Sequence, residues 1–116
     1  MIVLDHQPHR VSLSVFGEFT LADYKEFEEI VNYKIKFEGP VDLFFDLTQM
    51  ADFTIDLALE EYKFSRAHAN DFNRIAVVTE NQWIAWSAWL SQTFVNADVE
   101  VFPEAEQAKA WLDEAA

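Results

Sequence analysis

The 116-residue sequence has no cysteine, only two glycines and only three prolines. Without cysteine there is no disulfide framework, no thiolate nucleophile and no cysteine-ligated metal. With so few glycines and prolines, tight turns are scarce, which favours helices and strands joined by short loops. Positive charge is scarce as well: 8 Lys and Arg stand against 21 Asp and Glu, for a net charge of −13. No basic stripe is present to neutralise phosphates, so nucleic acid is not an expected partner. Anionic lipid would attract roughly 1 kcal/mol per nearby cation, and scattered cations cannot use that term, so any membrane contact is hydrophobic and local. The opening Met1-Ile2-Val3-Leu4-Asp5-His6 lacks a basic region followed by a long apolar run, so no signal peptide is read there. No segment reaches the roughly 18 apolar residues of a membrane span. The expectation is one cytoplasmic domain over residues 1–116, able to bury roughly two-thirds of its unfolded surface.

Charge is also missing locally. Residues 81–97 contain no Asp, Glu, Lys or Arg, yet they hold three of the four tryptophans. At 100° per residue, Trp83, Trp86, Leu90 and Phe94 share one face of a helix, the usual core stripe. Trp89 lies on the flank, and Ile84, Ala88 and Val95 lie roughly opposite. A helix that is apolar nearly all round has something against its second face, whether protein, ligand or lipid.

What is abundant is core material: aromatics make up 16%, with 11 Phe. Residues 2–4 form a short strand and residues 6–9 read as a turn. Arg10 to Phe19 alternates, with Val11, Leu13 and Val15 on one face and Ser12, Ser14 and Phe16 on the other, as in a strand with one buried face. Thr20 is an N-cap with Asp23 three residues on, and the helix that follows runs to about Phe37. Its core stripe is Tyr24, Phe27, Ile30, Val31 and Ile35; Lys25, Glu26, Glu28 and Glu29 are solvated, and Gly39-Pro40 ends it. Residues 41–47 form a central strand, and residues 54–70 a second helix with one stripe of Ile55, Ala58, Leu59, Tyr62 and Ala69 and another of Leu57, Phe64 and His68. Residues 74–79 form a buried strand, the charge-free helix follows, and Asp98 to Phe102 forms the last strand. Pro103 starts a final helix with Ala105, Ala108, Trp111 and Leu112 inward. The order β-β-α-β-α-β-α-β-α predicts a mixed, mostly parallel sheet of about five strands covered by four helices, with the first strand antiparallel.

Several segments in register resemble the SpoIIAA-like family, a bacterial group related to STAS domains. They are Gly17-Glu18-Phe19-Thr20-Leu21-Ala22-Asp23-Tyr24, Leu43-Phe44-Phe45-Asp46-Leu47 and Asp71-Phe72-Asn73-Arg74-Ile75-Ala76-Val77-Val78. Trp83 with Trp86, and Ala108-Lys109-Ala110-Trp111-Leu112, complete the set. The resemblance spans nearly the whole chain and implies a STAS-like α/β sandwich. It implies a phosphorylatable serine in an Asp-Ser-Ser-Gly-like motif at the start of the second helix. Here that position reads Thr54-Ile55-Asp56-Leu57, with Ile55 at the serine and Leu57 at the glycine, a departure that bears against the phosphorylation switch. The family is also similar in structure to the lipid-binding CRAL-TRIO fold, which implies a nonpolar ligand or membrane association.

The leading candidate site is a cleft between the second and third helices lined by Leu57, Phe64, Trp83, Trp86, Trp89, Leu90 and Phe94. Such a cleft suits fatty or isoprenoid chains, whose burial contributes about 0.8 kcal/mol per methylene with little directional demand. The bland alternative is that these residues form core plus a homodimer interface. Trp89 also suits a membrane interface, against a half-buried packing role. His6 and His9 are too few for a metal site, and His68 beside Arg66 reads as a helix-end histidine favoured by the dipole. Asp46 and Asp52 sit where α/β folds place ligands, yet no nucleophile or oxyanion feature accompanies them, so loop solvation and capping explain them. Thr48 and Thr54 are hydroxyls open to phosphorylation, and Thr54 reads more simply as an N-cap.

The sequence therefore predicts a non-enzymatic domain without cofactor or metal, binding a lipid-like molecule, with transient contact at the inner membrane or with a second copy. The alternative is a protein-interaction regulator of the anti-sigma-factor antagonist kind.

Overall fold

The computed structural model describes residues 2–53, 71–80 and 98–114. It begins with an antiparallel hairpin of β1 (Ile2–Gln7) and β2 (Arg10–Phe19). The reversal takes two residues, not the expected four. Pro8 presets its own φ, and His9 adopts a left-handed φ of 60°, so His6 and Gln7 stay free to pair with Val11 and Arg10.

Helix α1 (Leu21–Glu38) opens with the capping box that Thr20 and Asp23 predict. The Asp23 N–H donates to Thr20 Oγ1 at 3.2 Å and the Thr20 N–H donates to Asp23 Oδ2 at 3.3 Å. At the other end Gly39 takes a φ of 82° and its N–H donates to Ile35 O at 3.0 Å, closing the helix as expected. Tyr24, Phe27 and Val31 are buried, and Ile30 and Ile35 are half-buried against the same core. Glu28 is half-buried rather than solvated, because it lies on the shoulder of this stripe. Lys34 is buried too, a position that the apolar pattern missed.

Strands β3 (Val41–Phe53), β4 (Phe72–Val78) and β5 (Asp98–Phe102) complete a five-stranded sheet in the order β1-β2-β3-β4-β5. The first pair is antiparallel and the other three are parallel, so the mixed α/β sheet stands as the element order predicts. Strand β3 is longer than the expected 41–47, because its last residues continue along β2. The described residues hold two helices, α1 and α2 (Ala105–Glu114). The predicted helices over 54–70 and 81–97 lie outside the described residues.

The sheet buries both faces. On one, Val11, Leu13, Val15, Leu43, Ile75, Val77 and Val99 pack in a single cluster with Tyr24, Phe27 and Val31 of α1. Each large side chain buried there contributes about 1.5–3 kcal/mol. On the other face, Phe44, Ala76 and Val78 meet Ala108 and Leu112 of α2, with Ala105 and Trp111 half-buried beside them. Polar ties hold α2 down: Arg74 Nη1 donates to Trp111 O at 2.7 Å, its guanidinium lies 4.7 Å from the Trp111 ring centre, and Arg10 reaches Asp113 at 2.9 Å.

Candidate functional site at the carboxyl edge of the sheet

Strand β3 overhangs its neighbour. Its last pair with β4 is Asp46 with Val78, yet it runs on beside β2 as far as Phe19 with Phe53. The register slips between Ser14 and Phe16 and again between Gly17 and Glu18, and at each slip β3 carries one residue more than β2. Such bulges bend a strand and raise its twist. Asp46 spans the first: its Oδ1 accepts from the Thr48 N–H at 3.1 Å and from Thr48 Oγ1 at 2.6 Å. One carboxylate oxygen thus holds the irregular turn of backbone, and Thr48 spends its hydroxyl proton on it. The role is structural, but it lies within a strand and not in the loop or helix cap expected for Asp46.

Around this overhang the α1 side of the sheet is aromatic and apolar. Phe19 and Tyr24 stand 5.9 Å apart by ring centre, Tyr24 and Phe27 5.7 Å, and Phe27 and Phe45 5.3 Å. Tilted pairs at these spacings are favourable beyond the area they bury. Phe45, Leu47 and Met50 extend this wall along β3 and are only half-buried. On β4, Val78 and Thr79 are buried, the Thr79 N–H donates to Phe102 O at 3.0 Å, and Glu80 is exposed. Residues 54–70 follow from the far end of this overhang and residues 81–97 from beyond the end of β4, its neighbour in the sheet.

The candidate lining residues Leu57, Phe64, Trp83, Trp86, Trp89, Leu90 and Phe94 all lie outside the described residues, as do Thr54, Arg66 and His68. The side chain of Asp52 does too; its backbone pairs with Glu18. Sequence reasoning missed Phe19, Phe45, Leu47 and Met50 as a wall. The nearly continuous apolar run at the start of β3 hides which residues face α1, and only the register reveals the overhang. His6 lies on β1 and His9 at the hairpin turn, where the His9 backbone N–H is bound by Glu38. Among the described residues no helix is long and apolar enough to cross a membrane.

The model of the SpoIIAA-like family matches residues 10–113. The structure is similar to the crystal structure of an uncharacterized protein of the DUF3478 family, with a SpoIIAA-like fold, from Shewanella loihica PV-4. The TM-score is 0.77 at 16% identity, covering 97% of this chain and 92% of that one. It is also similar to the anti-sigma factor antagonist SpoIIAA in its unphosphorylated form, with a TM-score of 0.69 at 10% identity over 100% of both chains. At these identities the likeness is one of fold. No curated protein matches the sequence.

Proposed function

Given that the chain belongs to the SpoIIAA-like family, we propose that it is a non-enzymatic binding domain that takes a nonpolar, lipid-like ligand between segments 54–70 and 81–97. The observation that carries this reading is the half-buried wall of Phe45, Leu47 and Met50 at the carboxyl edge, beside the strand ends from which both segments leave. Two further facts support it. Strands β3, β4 and β5 are parallel neighbours in chain order, so segments 54–70 and 81–97 each connect two adjacent parallel strands. One of those connections carries no charge and three tryptophans. An apolar chain laid along such a surface gains about 0.8 kcal/mol per buried methylene and asks for few polar groups. Leu57, Phe64, Trp83, Trp86, Trp89, Leu90 and Phe94 are its proposed lining, with brief contact at a bilayer as the route of delivery.

The test is to purify the protein natively, extract it with organic solvent and identify bound lipid by mass spectrometry. Copurified lipid in near-stoichiometric amount, with thermal stabilisation by fatty acids, supports the reading. Repeated absence of both removes it. Recovery of a kinase or sigma-factor partner that is lost on Thr54→Ala or Asp56→Asn would instead favour a regulator of the anti-sigma-factor antagonist kind.

A further inference from the structure

The two edges of the sheet are built differently. Edge strand β5 is five residues long and carries exposed Asp98 and Glu100, the charged blunting that natural sheets use against pairing. Edge strand β1 has six residues, Ile2-Val3-Leu4-Asp5-His6-Gln7, with no proline, no lysine and no register shift against β2. Ile2 and Leu4 are half-buried against the main core, while Val3 on the opposite face is 51% exposed.

The hairpin dictates which backbone groups of β1 look outward. Gln7 and Arg10 flank a two-residue turn, and such a turn closes only if that pair exchanges both N–H···O bonds. Bonding alternates along an antiparallel ladder, so Val3 and Asp5 also bond to β2. The N–H and C=O groups of Ile2, Leu4 and His6 therefore point away from the sheet, and among the described residues no strand pairs with them.

We propose that this edge pairs with the same edge of a second copy, antiparallel, about a two-fold axis at Leu4. Only that register gives every outward group of Ile2, Leu4 and His6 a partner: Leu4 faces Leu4 of the second copy and Ile2 faces its His6. The apolar face then continues across the junction, Leu4 against Leu4. On the other face Val3 lies opposite Asp5 of the second copy, so no like charges meet directly. A two-fold contact of this kind is self-complementary and closed. The same operation at β5 would crowd Asp98 and Glu100 against their copies. Because each chain carries −13, repulsion opposes association, and added salt tightens the pairing.

Sedimentation over a concentration series at low and high salt, with amide exchange by NMR, tests this on the full chain. Expected are a monomer–dimer equilibrium that salt shifts towards dimer, and amides of Leu4 and His6 whose protection rises with concentration. Val3→Lys, facing Asp5 of the second copy, tightens the dimer several-fold; Val3→Asp weakens it several-fold. Tyr33→Lys and Tyr33→Asp at the exposed Tyr33 make the same charge changes away from the edge and produce much smaller shifts. Overturning results are a monomer at every concentration, a dimer whose Leu4 and His6 amides stay unprotected, or a dimer indifferent to the charge at position 3.

Discussion

The backbone N–H of His9 donates to Glu38 Oε1 at 2.9 Å, tying the β1–β2 turn to the last turn of α1 across 29 residues of chain. The same carboxylate pairs with Lys34, one helical turn earlier, whose side chain is buried. The Lys34 hydrogen bond first, and the His9 N–H second, hold the Glu38 carboxyl below its ordinary pKa. A depressed carboxylate pKa adds stability that is present above the unfolded value and is lost as pH falls through the folded one. We expect the acid limb of a thermal-stability profile to shift in Glu38→Gln, which loses this contribution at neutral pH and flattens the curve below it. A wild-type acid limb retained in the variant would contradict the assignment.

Lys34 itself tests how much the ion pair matters. Lys34→Met keeps the packed stem and leaves Glu38 with the His9 N–H and partial solvent, so denaturant unfolding should shift by no more than about 1 kcal/mol in either direction. Loss of several kcal/mol would mean that the pair, rather than the stem, holds the helix end.

Two positive-φ positions predict costs set by the backbone alone. A Cβ at Gly17 meets nothing within 4 Å, so Gly17→Ala should cost about 1–2 kcal/mol from its φ of 75° and not from a clash. His9→Val places a β-branched residue at a φ of 60° and should cost a similar amount, about 1–2 kcal/mol, while His9→Asn changes stability by less than about 0.5 kcal/mol. Equilibrium unfolding of the three variants checks the ordering.

Much of this architecture is legible in the sequence because local rules agree there with the fold. Alternation at Val11, Leu13 and Val15, the Thr20–Asp23 cap and Gly39 each name their own structure. What the pattern hides is register. Nothing in the run from Val41 to Phe53 tells that β3 outlasts β4, because that depends on where a distant strand stops. Lys34 is invisible to an apolar stripe because its stem packs like a hydrocarbon while its charge is answered by Glu38 one turn on. The tryptophans of residues 81–97 announce nonpolar contact by composition, and composition does not choose between lipid and protein.

The attachment of α2 predicts unequal effects from its two arginines. Arg74→Lys gives up the guanidinium contact over the Trp111 ring and the bond to its carbonyl, and should cost about 1–2 kcal/mol. Arg10→Ala loses a bridge to Asp113, whose side chain is 68% exposed, and should cost less than about 1 kcal/mol. Amide exchange along residues 105–114 should quicken in the first variant and barely change in the second.

Occupancy of the proposed apolar cleft is tested most directly by tryptophan quenching. Three of the four tryptophans lie within residues 81–97, and the fourth, Trp111, packs with Phe102 and Arg74 at α2, on the face of the sheet away from α1. In a Trp111→Phe variant, titration with a brominated fatty acid below its micelle concentration should quench most of the remaining emission, saturably and near one equivalent. Emission that stays unchanged, or falls only linearly as free collision requires, would contradict a lipid-like ligand at this site.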